Sequence, residues 1–163
     1  MNYGNGVLYG VLTSTGKSIP GKELKQAEGI ELKAMGFNSL QNAKIGDTCN
    51  LTVTVKNISG SQKLENLAMT IPVSTCLEYS NERLVNNNYY NNNFTYQDIK
   101  DEVIYTYFDL KSGESKTFNF AFTVAYSGEF FIPAISCEAM YDNSIVSVQP
   151  GFKVKIAQAS SSK

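Results

Sequence analysis

Catalysis and metal binding need particular side chains within reach of one another, and this chain offers few of them. It contains no histidine. That removes Ser-His-Asp and Cys-His nucleophile pairs, His-ligated metals and the commonest general base near neutral pH. Cys49, Cys76 and Cys137 are an odd number of cysteines at wide spacing. They fit small buried hydrophobes better than a disulfide framework or a Cys-type zinc site. The acids Asp98, Asp101 and Glu102 gather in "YQDIKDE" and could offer carboxylate oxygens to calcium. No glycine-bearing calcium-loop spacing accompanies them, so a solvated loop at a strand entrance is the favoured reading. Neither an enzyme, a cofactor nor a metal site is expected.

Other stretches carry contact chemistry instead. "CLEY" at 76 to 79 differs from the Cys-Leu-Glu-Gln of internal thioesters by Tyr79 in place of Gln, and without that Gln carbonyl no thioester forms. "NLT", "NIS" and "NFT" match the glycosylation sequon, a match frequent by chance in an Asn-rich chain. "NNNYYNNNF" at 86 to 94 reads first as a mobile loop, because Asn favours turns over ladders. Tyr89, Tyr90 and Phe94 beside so many amides are also a surface that glycan or peptide could use. "CEAMYDNSIVSVQPG" at 137 to 151 sets Met140 beside Tyr141, just before Asp142. Strand alternation puts Ile135, Cys137, Ala139 and Tyr141 on one face and Ser136, Glu138 and Met140 on the other. Both large residues cannot face one core, and Met140 is the better candidate for exposure.

The elements that must hold these residues are strands. "CNLTVTVKN" alternates Leu51, Val53 and Val55 with polar partners, and "KTFNFAFTVAY" alternates Phe118, Phe120, Phe122 and Val124, the period of a half-buried strand. "EVIYTYFDL" is β-branched and aromatic throughout and reads as a central strand covered on both faces. "FKVKI" suits a last strand with one wet face. Turn signals at 45 to 47, 57 to 61, 111 to 115, 126 to 129 and 149 to 151 separate the runs. The only hint of helix is a short turn in "PVSTCLEYSNERL". Seven or so strands so punctuated predict an all-β, two-sheet antiparallel sandwich of immunoglobulin type.

The chain of 163 residues fits one domain with an appendage. Residues 1–38, with "GVLYGVL" and "IELKAMGF", read as lead-in strands arriving from the preceding region of a larger chain, 39–157 as the sandwich, and 158–163 as a disordered tail. Fourteen basic and fifteen acidic residues give a net charge of −1, which speaks against nucleic acid or anionic lipid as partner. No apolar run is long enough for membrane insertion, and "MNYGNGVLYG" lacks the features of a signal peptide. An export signal would lie on other sequence.

In their order and spacing, these features resemble the C-terminal macroglobulin (MG10-like) domain of bacterial alpha-2-macroglobulins. The resemblance runs over about residues 5 to 157. It rests on the acidic cluster with Lys100, the aromatic strand, the turn at Gly113, the long alternating strand, the step Phe130, Phe131 and Pro133, the triplet Met140, Tyr141 and Asp142, and the upstream "GIELKAMGF" and "KIGDTCNLTVTVKN". It implies a macroglobulin-type sandwich without catalysis of its own, inside a large exported and lipid-anchored chain, periplasmic or at the cell surface, that traps proteases by changing shape when cut. It further implies that the domain packs against a helical thioester domain, with Met140, Tyr141 and Asp142 as the shielding contact. One branch of the family lacks the thioester, and there the pair would have no client. Receptor binding through helical lysines, a property of animal members, is not implied, since "PVSTCLEYSNERL" has no lysine. The alternative is a stand-alone or surface-presented sandwich that binds glycan or peptide through Tyr89, Tyr90 and Phe94.

Overall fold

The computed structural model describes residues 19, 22–23, 26–80 and 93–158. Within them the chain forms twelve strands: β1 (Gln26–Glu28), β2 (Ile30–Met35), β3 (Thr48–Asn57), β4 (Leu64–Pro72), β5 (Leu77–Tyr79), β6 (Tyr96–Ile99), β7 (Val103–Leu110), β8 (Ser115–Val124), β9 (Gly128–Ile132), β10 (Ile135–Ala139), β11 (Asp142–Gln149) and β12 (Phe152–Ile156). One sheet runs β1-β11-β10-β4-β7-β6 and a second runs β2-β3-β8-β5, while β12 and β9 pair as a ribbon. Every strand pairing is antiparallel. This is the expected immunoglobulin-like sandwich, with more strands than the turn signals separate.

The alternating runs behave as their period dictates. In β3 and β8 every second side chain is buried, so Leu51, Val53 and Val55 lie beside Phe118, Phe120 and Phe122. The second sheet meets the first through Phe118 and Phe108, whose ring centroids stand 4.8 Å apart, within the range of favourable tilted aromatic pairs. β7 departs from expectation. Ile104, Thr106, Phe108 and Leu110 are buried while Val103, Tyr105, Tyr107 and Asp109 are half-buried, so only one of its faces is covered. The reason is the two-layer architecture: the central strands β4 and β10 are likewise buried on one face only, and the aromatic outer face of β7 meets solvent instead of a further layer.

Two elements differ from the sequence reading. The middle of "PVSTCLEYSNERL" is strand β5, with Tyr79 tilted against Phe120 and Phe122 at 6.3 and 5.6 Å. A 3-10 helix at Phe37–Asn42 was not anticipated; only Leu40 in it is buried, too little to set up a periodic signal.

The chain changes sheets at Gly29. β1 pairs with β11 in the six-stranded sheet, and one residue later β2 pairs with β3 in the other. Gly29 has φ of 71°, and a Cβ there would stand 3.2 Å from Ile145, so a side chain is unwelcome on both counts. The crossing is sealed by Leu32, whose N–H donates to Ser147 Oγ of β11 at 3.1 Å.

At the same end of the sandwich, Asn57 is 1% exposed. Its Nδ2 donates to the carbonyls of Gln62 at 2.8 Å and Lys111 at 3.1 Å, and its Oδ1 accepts from Ser59 N at 2.9 Å and Ser59 Oγ at 2.7 Å. The carboxamide thereby joins the β3–β4 loop to the β7–β8 loop. It also spends the amide that the "NIS" sequon would have to offer. Asn57→Ala should cost about 2–3 kcal/mol, since it strands buried backbone groups. The check is the urea midpoint, which should fall with no change in slope.

Candidate functional site

The thiols are placed for packing. Cys49, Cys76 and Cys137 are all free and buried. Burial pushes the Cys137 thiol up to about 12 from its ordinary 9.0, and burial is likewise the main cause of the upward shifts at Cys49 and Cys76. Reactive thiols show the opposite shift. In "CLEY", Cys76 and Leu77 belong to the core and Tyr79 packs against it. Asp98 pairs with Lys100 at 3.4 Å, and Asp101 and Glu102 are exposed. Among the described residues no three acids, cysteines or histidines stand together as a metal site. Tyr89 and Tyr90 lie outside the described residues, and Phe94 is half-buried and packs against the core.

Met140 and Tyr141 stand apart from all of these. Alternation along the strand would turn Tyr141 inward with Cys137 and Ala139. Instead β10 stops at Ala139, which pairs with Asp142, so Met140 and Tyr141 form the whole two-residue connection between β10 and β11. Off the strand, the period of two no longer applies. Met140 is 51% exposed and Tyr141 84%, two large apolar bodies at a hairpin tip where Asn or Gly would be usual.

The tip is nonetheless held. Tight hairpins favour positive φ at the connecting residues because that twist matches the strands, and neither Met140 nor Tyr141 has it. The mismatch is taken up beside the turn: Glu138 pairs with Val146 and the next residue, Ala139, with Asp142, which leaves 143 to 145 as extra residues on β11. Asp142 Oδ1 ties them in, accepting from Ser144 N at 3.0 Å and Ser144 Oγ at 2.6 Å. These hydrogen bonds hold the exposed Asp142 carboxyl below its ordinary range, so it is a fixed negative charge at the tip. On the other side, Met140 N–H donates to the carbonyl of Asn66 at 3.0 Å.

The surroundings are suited to contact rather than to chemistry. Ile58, 47% exposed, donates its N–H to the Gly29 carbonyl, and Gly29 abuts Ile145, so further apolar surface lies at this end. On the outer face of the six-stranded sheet, Tyr96 and Tyr107 stack at 5.9 Å, and Lys100 sits 5.5 Å above Tyr105. No helix of the described residues is long and apolar enough to cross a membrane.

Comparison with known proteins agrees with this architecture. The model of the bacterial alpha-2-macroglobulin MG10 domain family matches residues 21–143. Trypsin-activated alpha-2-macroglobulin from Escherichia coli superposes with a TM-score of 0.68 at 16% identity, covering 82% of this chain and 11% of that one. Salmonella alpha-2-macroglobulin reacted with methylamine gives 0.67 at 14% identity, covering 86% and 10%. Native E. coli alpha-2-macroglobulin from domain MG7 to the C-terminus gives 0.64 at 14% identity, covering 82% and 24%. At these identities the structural likeness is one of fold, and the chain spans only a small part of each of these proteins. No curated protein matches the chain.

The buried Cys137 sets a pH dependence. Its thiol is raised in the folded state, so the stabilisation it gives is complete below pH 9.0 and is lost as pH rises toward about 12, the unfolded chain releasing its proton first. Against Cys137→Ala, the wild type should lose stability more steeply between pH 9 and pH 11. Urea midpoints of both at pH 8, 10 and 11 measure the difference, and parallel curves would contradict the assignment.

Proposed function

The chain belongs to the bacterial alpha-2-macroglobulin MG10 domain family, and on that premise we propose that it is the non-catalytic C-terminal domain of a protease-trapping parent. In this reading the parent is exported and lipid-anchored, periplasmic or at the cell surface, and proteases are its targets. The domain packs against the parent's helical thioester domain with Met140, Tyr141 and Asp142. It contributes contact and shielding, and the chemistry belongs to the neighbour.

The observation that carries the proposal is the exposed Met140–Tyr141 tip on a turn held from both sides. Fully burying a large apolar side chain gains about 1.5–3 kcal/mol, and a tip already in place loses little freedom on docking. A thioester lasts only while water and amines are kept from it. A thioether and an aromatic ring displace water without bringing a strong nucleophile, and the phenol can still hydrogen-bond at the rim.

Met140→Ala combined with Tyr141→Ala tests this in a thioester-bearing full-length parent. Thiol release should quicken by about tenfold, the effect of about 1.4 kcal/mol of lost docking. The melting temperature of this chain should hardly move, because both side chains are exposed. Thiol release at the wild-type rate would rule out the shield. Size in the source cells is a second check: antibody raised against this chain should mark a band several times larger than 18.0 kDa. A band near 18 kDa would instead favour glycan or peptide binding through Tyr89 and Tyr90.

A further inference from the structure

We infer that Asn66 and Asp109 are positioning residues for the Met140–Tyr141 tip, acting through backbone hydrogen bonds to preorganise it for its partner; the inference rests on the docking role proposed above. Between Leu64 and Leu67 the β4–β7 ladder shifts register, so that Glu65 and Asn66 stand opposite the single residue Asp109. That is a bulge, the device strands use to re-aim backbone or side chains. Asn66 has φ of 55° and is the one non-glycine residue with positive φ among the described residues. Such a conformation persists only where the surroundings enforce it, and Asn tolerates it better than most residues.

Both sides of Asn66 account for the enforcement. Its N–H donates to Asp109 Oδ1 at 2.9 Å, a hydrogen bond strengthened by the acceptor's charge. Its carbonyl accepts the Met140 N–H at 3.0 Å. Lys63 Nζ lies 3.6 Å from the other carboxylate oxygen of Asp109, but its short contact, 2.5 Å, is to Glu65, so the exposed ion pair adds little to the hold on Asp109. A relay therefore runs from Asp109 through Asn66 to the first residue of the tip, linking β7, β4 and the β10–β11 hairpin. The Met140 bond continues the β10–β4 register one pair beyond Ala139 and Leu67, so the bulged residue carries that ladder onto the tip.

The test compares Asp109→Leu with Asp109→Asn, which keeps an Oδ1 acceptor in place. Amide hydrogen exchange of this chain is read by NMR at Met140 and, as reference, at Leu51 and Val53 in β3. In Asp109→Leu, Met140 exchange should rise by about tenfold while the β3 amides keep their rates, and Asp109→Asn should restore Met140 to within about twofold of wild type. Unchanged Met140 exchange in Asp109→Leu overturns the inference. So does a rise shared equally by Leu51 and Val53, since Asp109 would then hold the fold and not the tip. In a thioester-bearing parent, Asp109→Leu should also quicken thiol release with Met140 and Tyr141 intact. A loosened tip without faster release would leave the relay standing and remove the thioester as its partner.

Discussion

One end of this sandwich is closed by a single buried carboxamide. Asn57 ends β3 in one sheet, yet its side chain binds the carbonyls of Gln62 and Lys111, which flank strands of the other. Hydrophobic contact between sheets is non-directional and would allow them to slide or splay. A buried amide with its donors and acceptor engaged fixes the spacing, because any displacement leaves polar groups without water or partner. Gly29, the β4 bulge and the Met140–Tyr141 turn all lie at this end, so the geometry available for contact is built on a closed frame.

The frame explains how an apolar tip is carried without cost to the core. Met140 and Tyr141 add little to the stability of the chain, being mostly in water. Their placement comes from polar bonds, with Asn66 on one side and the Asp142–Ser144 turn on the other. Packing thus makes the fold, and hydrogen bonding at the sheet end arranges what the fold presents. The separation lets the exposed pair change without disturbing Phe108, Phe118 or the rest of the inter-sheet core.

Much of this was legible in the sequence, and the boundary of legibility is physical. The alternation in β3, β8 and β12 is a property of the strand alone, so it gave the inward face of each, with Phe152 alone among the inward apolar residues only half-buried. The one-sided burial of β7 was not predictable in the same way, because its aromatic content looks alike in a strand covered on both faces and in one whose outer face is a solvated tyrosine patch. The identity of the exposed pair was visible as Met-Tyr before Asp, but the exposure of Tyr141 was not. Alternation fails once a strand ends, and where β10 ends is set by the register of three strands. Asn66 and Asp109 gave no local signal at all: they are 43 positions apart and meet only through a two-against-one bulge.

The crossing at Gly29 has a consequence for how the chain can be cut. Because β2 lies along β3 in one sheet and β1 along β11 in the other, the segment before residue 38 supplies an outermost strand to both sheets. Removing it would uncover the ladder groups of β3 and β11 together and expose the seat of Ile30 and Leu32, which are 0% and 2% exposed. Two fresh edges beside a bared apolar seam are a template for pairing with another copy. A shortened chain would offer both edges to other copies of itself, and the segment doubles as the molecule's protection against its own strands.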